Sequence, residues 1–559
     1  MKKLPWTDVF KKYKIFSKRV RKDLPVLYEE PEKFEEEVAI RPYEMLIEVV
    51  GKNFKKADEL VLELYPQFKD SHSRCKWIVW SMLKDVESEG DTCINANVLA
   101  RALKQDYAEV YDHVVDVVKN NELFYYDPTG KMVAIRDTYE AEKRIAEEIK
   151  KRVINPVKYD IDWQKYTAVD GIALTEEQSQ ILKLACKESV MMLNGGAGCG
   201  KSSTTKSLLT MLDKEGYSFT ALAPTGIAAK RIKESSGYDA STIHKFLFSK
   251  KGIGDYLVLD EAGMIGVHLM SALFKRLNDD TKIVIICDEA QLCSISCGNI
   301  VQDIINSDIV PTVKLTKVFR YGKGGIATVA TDVRNGKKLT DKPEFNDYRF
   351  IPTNKDTFET VLNVYDGLLK TYKREDILVL SPFNVRSTGT FAINKAIQER
   401  YNGEADVLAS YNKQKDVTIE FRKGDRIINT ENSYKMRGEN GNIAVMNGEY
   451  GTVLGLEEDG LLKVEFENGV ALLEQEEIWK QLLGYCITCH KSQGCQGKAV
   501  IVVLDKNAGF FLTRNLIYMA LTRAQEKLIV VGDLRTINSA IGIEENKTRN
   551  TWLKELLSE

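Results

Sequence analysis

Residues Gly195 to Ser202 read Gly-Gly-Ala-Gly-Cys-Gly-Lys-Ser, a match to G-x-x-x-x-G-K-[ST]. Glycines at these positions let backbone N–H groups converge on phosphate oxygens, at a helix N-terminus whose dipole favours anions. Lys201 then reaches the β- and γ-phosphates, and the Ser202 hydroxyl can ligate Mg²⁺. Gly195, Gly196, Ala197, Gly198, Cys199, Gly200 and Ser203 complete the expected cradle. A chance glycine-rich turn would lack the right flanks. Here the loop follows the apolar run VMMLN and opens the helical pattern KSSTTKSLLTML.

Downstream, Tyr256 to Glu261 is an apolar strand ending in two carboxylates. In this context Asp260 is expected to hold Mg²⁺ and Glu261 to orient and deprotonate the attacking water. A further strand ends in Asp288-Glu289-Ala290-Gln291. Ligand crevices lie at the carboxyl ends of strands in open α/β sheets, so Gln291 is a candidate γ-phosphate sensor, although an ordinary loop glutamine fits the local pattern equally. Arg320, in LTKVFRYG, and Arg523, in YMALTRAQEK, belong to a later α/β stretch. An arginine supplied by a second domain stabilises transition-state charge at a phosphate loop, and it would couple domain closure to hydrolysis.

A chain of 559 residues, 43% hydrophobic and 29% charged, supports several domains with substantial cores. No stretch approaches the roughly 18 apolar residues of a membrane helix. The opening MKKLPWTDVFKKYKIFSKRVRK lacks the apolar run of a signal peptide, so a cytoplasmic protein without membrane association is expected. The net charge of -2 excludes a global basic field, and any nucleic-acid binding must come from local grooves. The ten cysteines read as free thiols in a reducing compartment. Cys486-Ile487-Thr488-Cys489-His490 matches the C-x-x-C-H of c-type haem attachment, which normally needs export. Cys287, Cys293 and Cys297 lie on one α/β half and Cys486, Cys489 and Cys495 on the other, which argues against a fixed metal cluster.

Short apolar runs alternate with helical patterns from about Gly171, the signature of parallel sheets covered by helices. The spacing places a first α/β domain over 151–310 and a second over 311–405 and 484–559. Between them, 406–483 is a run of short strands separated by turn residues, an all-β insertion. Residues 1–70 are helical. Over 71–150, helices precede a hairpin turning at Asp127-Pro128-Thr129-Gly130, the pattern of a winged helix or of a generic helical domain.

The order of these motifs resembles superfamily 1 helicases of the RecD-like, 5′→3′ branch. Leu174-Thr175-Glu176-Glu177-Gln178 resembles the adenine-reading Q motif, and Ala223 to Lys230 and Ser241 to His244 resemble motifs Ia and Ib. LVLDEAGMIG, DEAQLCSISCGNI, LTKVFRYG, GYCITCHKSQGCQG and Leu516 to Arg523 resemble motifs II to VI. The resemblance implies two RecA-like parallel-sheet motor domains with an inserted SH3-like β-barrel, preceded by a mainly helical region with a winged-helix-like segment. It implies that Gln178 reads adenine and that Gln291, Arg320, Gln493 and Arg523 contact the γ-phosphate region. Pro224, Thr225, His244, Thr488 and His490 would line a single-stranded DNA track. The implied activity is ATP- and Mg²⁺-dependent 5′→3′ unwinding by a monomer. Single-stranded and tailed duplex DNA would be substrates, and repair or replication proteins would be compatible partners. Polarity rests on the resemblance alone. A weakly unwinding translocase, an RNA helicase and a non-translocating nucleotide switch are the competing readings.

Two departures stand out. In VGKNFKKADELVLEL, which resembles a helix-hairpin-helix element, Asn53 replaces the second hairpin glycine and is expected to adopt the left-handed conformation. Between His244 and Asp260 only KFLFSKKGIGDYLVL stands where the family carries a strand-splitting pin.

Overall fold

The computed structural model describes residues 5–319, 324–353, 356–544 and 549–559. It divides into two compact units.

The larger unit is built on two sheets whose strands are buried almost end to end. Strands buried on both faces need helices on both sides, and parallel pairing follows. The first sheet contains β1 (Val190–Gly195), β2 (Phe219–Ala223), β3 (Ala240–Thr242), β4 (Tyr256–Leu259), β5 (Lys282–Cys287) and β6 (Thr312–Leu315). Its order is β6-β1-β5-β4-β2-β3, all parallel. Register pairs Cys287 with Asn194 and Ile285 with Leu259. The loops beginning at Gly196, Asp260 and Asp288 therefore leave the sheet side by side.

The second sheet contains β7 (Tyr348–Pro352), β8 (Ile377–Ser381), β9 (Cys486–Thr488), β10 (Gly497–Leu504) and β11 (Ala524–Gly532), in the parallel order β7-β11-β10-β8-β9. Between the helix Thr390–Asn402 and β9 the chain forms an antiparallel pair, Val407–Gln414 with Val417–Arg422, and a seven-stranded antiparallel sheet. Leu462–Phe466 alternates buried and more exposed positions, as a half-buried strand does. Asp425 ties this insertion to the helix by accepting from Gln398 Nε2 at 2.5 Å, Asn402 Nδ2 at 2.7 Å and the Tyr485 hydroxyl at 2.9 Å.

The smaller unit comprises residues 5–144 with Ile295–Gly298 and Arg549–Leu556. Its helices close over Phe34, Tyr43, Leu60, Trp77 and Val117. Arg74 grips Asp58 with Nε at 2.8 Å and Nη2 at 2.9 Å, inside this core. A three-stranded sheet, in the order Ile94–Asn95, Met132–Ile135, Phe124–Asp127, follows the helices.

Three expectations need correction. Asn53 is extended, at φ -66°, and accepts from Lys56 N at 3.0 Å, so it caps the helix Phe54–Leu64; Gly51 takes the left-handed conformation at φ 76°. Second, residues 549–556 pack with the N-terminal unit rather than with the second α/β domain. Trp552 meets the rings of Tyr125 and Tyr139 edge-on, and Asn550 O accepts from Thr92 N at 2.9 Å. Third, the helix Arg136–Ile154 runs through the boundary expected at residue 150. Among the described residues, no helix is long and apolar enough to cross a membrane.

Candidate active site

The phosphate loop connects β1 to the helix Lys201–Lys214. Gly198 (φ 78°) and Gly200 (φ 84°) are left-handed. A Cβ on Gly200 would stand 2.2 Å from Gln178 Nε2, so this turn requires glycine. Lys201 Nζ donates to the carbonyls of Gly195 and Gly196, the latter at 3.2 Å.

Gln178 is the N3 residue of a capping box on the helix Glu176–Lys187: its Oε1 accepts from Thr175 N at 2.9 Å. Its Nε2 donates to Cys199 O at 3.4 Å. Both ends of the amide are thus engaged within the protein, and they brace the phosphate loop from outside. The neighbouring Glu177 carboxylate accepts from Thr316 N at 2.9 Å, and the contacts with Thr316 hold it below the usual carboxylate range.

A cleft of 380 Å³ brings together Lys201, Ser202, Asp260, Glu261 and Gln291 from the first α/β half and Arg523 from the second. Burial and the adjacent Glu261 charge push the Asp260 carboxyl up to about 6. Glu261 is left-handed at φ 50°, a strained conformation for a side chain of this size, and it turns the chain as it leaves the sheet. Arg523 is buried; its Nε donates to Met519 O at 3.0 Å and its Nη1 to Cys495 O at 3.4 Å. Arg320 lies outside the described residues. Gln493 is buried, and among the described residues its Nε2 has no hydrogen-bond partner.

A second cavity, of 530 Å³, opens on the other side of the loop and is lined by Gly196, Ala197, Cys199, Lys314, Arg334 and Tyr518. Here Tyr518 and Arg334, from the second half, converge on the first. The Tyr518 hydroxyl donates to Asp288 Oδ2 at 3.0 Å, Gln291 Nε2 donates to the same oxygen at 3.2 Å, and Arg334 Nη2 lies 3.7 Å from Asp288 Oδ1. Asn515 Nδ2 reaches the carbonyls of Ala290 and Gln291 at 3.1 and 3.3 Å. The sequence pattern gives Tyr518, Arg334 and Asn515 no role at this site. In NLIYMALTRA Tyr518 looks like core, and Arg334 looks like a solvated cation at a helix C-terminus.

The proposed track residues divide between the halves. Thr225 caps the helix Gly226–Ser236, accepting from Ala228 N at 3.2 Å. A Cβ on Gly494 would stand 3.7 Å from Thr225 Oγ1, so the loop carrying Thr488 and His490 abuts the Pro224–Thr225 corner. Thr488 is buried and accepts from Lys491 N at 3.3 Å, whereas His490 and His244 are exposed. The β insertion reaches the first half through Lys230–Glu467 and through Tyr434, whose hydroxyl is 3.5 Å from Thr242 Oγ1. Cys486 and Cys489 are buried free thiols, each pushed up by burial, which describes packed and unreactive sulfur.

Residues 173–352 match the model of an AAA domain, and residues 483–531 that of the UvrD-like helicase C-terminal domain. The ATP-dependent RecD2 DNA helicase of Deinococcus radiodurans is 30% identical over 394 residues, which cover 68% of this chain and 52% of that protein. The RecBCD enzyme subunit RecD of Mycolicibacterium smegmatis is 24% identical over 433 residues, covering 68% of this chain and 75% of that one. The chain thus spans about half the length of the first relative (52%) and three-quarters (75%) of the second. Among solved structures, the Pif1 helicase from Bacteroides in complex with ADP-AlF3 and ssDNA aligns at a TM-score of 0.41. Its identity is 18%, over 68% of this chain and 95% of that chain.

Proposed function

The chain belongs to the RecD-like superfamily 1 helicases, and from that premise we propose that it hydrolyses ATP to move 5′→3′ along single-stranded DNA and unwind duplex DNA. The observation that carries the proposal is the 380 Å³ cleft, where Lys201, Ser202, Asp260, Glu261 and Gln291 of one α/β half meet Arg523 of the other. Hydrolysis at such a cleft acts on the contact between two domains, which a nucleotide switch confined to one domain does not need.

In this reading, Lys201 leaves the Gly195 and Gly196 carbonyls to meet the β- and γ-phosphates. Glu261 orients the attacking water and takes its proton. Arg523 neutralises charge that develops on the transferred phosphoryl group, and Gln291 reports the state of that group to the Asp288 network. Ser202 and Asp260 offer hard oxygen ligands; burial first, and then the neighbouring Glu261 charge, raises the Asp260 pKa to about 6, and a divalent cation would relieve both. Mg²⁺ held there would neutralise phosphate charge. Gln178 is assigned to support of the loop, with adenine reading as its second duty.

We assign single-stranded DNA to the surface formed by Pro224, Thr225, His244, Thr488 and His490. The antiparallel insertion is read as the SH3-like domain of this branch, and the region expected over 71–150 as its winged-helix-like segment. The segment 249–254 forms no strand, which favours, as a second reading, a translocase that unwinds weakly.

The test is steady-state ATPase of the full chain with and without oligo-dT or oligo-U, for the wild type and Lys201→Ala, together with strand displacement from 5′- and 3′-tailed duplexes. DNA-stimulated turnover, lost in the variant, and unwinding from 5′ tails are expected. Turnover indifferent to any single strand sinks the motor, and unwinding only from 3′ tails sinks the polarity. Translocation without displacement selects the second reading.

A further inference from the structure

Hydrolysis leaves one group of side chains unexplained. Three loops leave neighbouring strands at the carboxyl edge of the second sheet, after β8, β9 and β10. They are cross-linked: Thr388 Oγ1 donates to Asp505 Oδ2 at 2.7 Å, Cys489 N to Ser381 O at 2.9 Å, and Arg386 Nη1 to Asn507 O at 2.8 Å. On this rigid edge Phe510 is 99% exposed and Phe511 is half exposed. The Phe511 ring lies 6.1 Å from that of Phe383, and the Arg386 guanidinium lies 5.6 Å from the centre of Phe383 and 5.9 Å from that of Phe511. Arg386 holds the left-handed conformation at φ 80° while it makes these contacts. An arginine fixed over two rings, with a third ring bare beside it, is a set of flat faces awaiting another flat group.

The edge continues into a cleft of 450 Å³ beneath the pair Val407–Gln414 and Val417–Arg422. Asn384, Arg386, Thr488 and Lys491 line its sheet side, and Asp416 and Glu420 its hairpin side. Lys491 is half-buried; burial and the like charge of Lys413 hold its ammonium below the usual range. Lys491 and Arg386 thus offer two cations on the sheet side of this cleft, next to Thr488.

We infer that Phe510, Phe511 and Arg386 form a base-stacking platform that receives single-stranded DNA as it passes Thr488. The inference rests on the DNA reading proposed above. Rings and guanidinium planes take any base by its π-face, and neighbouring cations take the phosphates, which is the chemistry of sequence-indifferent single-strand grooves. A protein partner would use the apolar rings but has no use for the Lys491 and Arg386 cations lining the cleft beside Thr488.

The experiment compares anisotropy binding of fluorescent oligo-dT and an abasic oligonucleotide of equal length to the full chain, in the wild type, Phe510→Ala/Phe511→Ala and Phe510→Trp. Stacking of a single base is worth about a tenfold or greater change in affinity. The double variant is therefore expected to lose about tenfold or more on oligo-dT and nothing on the abasic strand, with Phe510→Trp at wild-type affinity and all melting temperatures alike. If the wild type binds oligo-dT and hydrolyses ATP in response to it, but the double variant binds equally well, the platform is wrong while the motor reading stands. Equal losses on both oligonucleotides also overturn stacking. A wild type that binds neither strand overturns both readings.

Discussion

The Tyr518 hydroxyl, on a helix of the second α/β half, accepts a hydrogen bond at 3.0 Å from the backbone N–H of Ala197 in the phosphate loop of the first. The same oxygen donates to Asp288, which also receives Gln291. One phenol thus touches the loop that holds the nucleotide and the loop expected to sense it. Relative motion of the halves acts on this oxygen, so its removal weakens their coupling. In Tyr518→Phe the part-buried Ala197 N–H loses its acceptor and the buried Asp288 carboxylate loses one donor, the latter costing about 1–3 kcal/mol. The DNA-stimulated kcat is expected to fall about tenfold, a change of about 1.4 kcal/mol, with KM for ATP moving much less. Steady-state kinetics with saturating oligo-dT measure this, and an unchanged kcat would show that the contact is only structural.

Gln178 offers a choice between two roles. Its Oε1 closes a capping box and its Nε2 holds the Cys199 carbonyl. Gln178→Ala removes both, and a lost helix cap alone costs about 1 kcal/mol. A lowered melting temperature and a raised KM for ATP and GTP alike are expected. If the residue served adenine recognition alone, the melting temperature would hold and only the preference for ATP over GTP would fall.

These two residues mark where sequence legibility ends. The phosphate loop, the Asp260–Glu261 pair and Gln291 are readable because phosphate chemistry demands fixed residue types at strand ends, and the parallel register then gathers them. Tyr518 and Arg334 are not, because a buried tyrosine and a helix-end arginine obey the ordinary rules of packing and solvation; only tertiary placement gives them a partner. Asn53 illustrates the opposite failure. It suits a left-handed turn and a helix N-cap equally, and the N–H of Lys56 decides for the cap. Trp552 carries no local sign that residues 549–556 return to the N-terminal unit, since that contact joins positions more than four hundred residues apart, as Trp552 N reaching Glu142 Oε2 also shows.

Phe248 closes the short helix Ile243–Phe248 and is 88% exposed. The segment after it is held by Arg276, whose Nη2 donates to Ser249 O at 3.3 Å and Lys251 O at 2.8 Å. A ring presented on an anchored segment beside His244 can wedge between bases. Phe248→Ala is expected to slow displacement of a 5′-tailed duplex severalfold while ATPase on oligo-dT keeps its rate. Parallel loss of both would place the ring in the translocation track instead, and loss of neither would leave the short segment without a part in separation.

Lys282, the first residue of β5, is fully buried, and its Nζ donates to Ala185 O at 2.8 Å and Cys186 O at 3.3 Å. The ammonium sits 4.4 Å from the centre of the Tyr159 ring. Burial lowers its pKa from 10.5 to about 8. The unfolded chain therefore holds more protons than the folded one between those two values, and stability rises with pH across that window. Below pH 8 the cost of burying the charge is fully present. Lys282→Met removes the titration but also leaves two carbonyls without a donor, a loss that does not change with pH. The melting temperature of the wild type minus that of the variant should accordingly climb between pH 7.5 and 9.5. The slope, not the offset, reports the lysine; a flat difference would mean that water reaches the ammonium and that its pKa is ordinary.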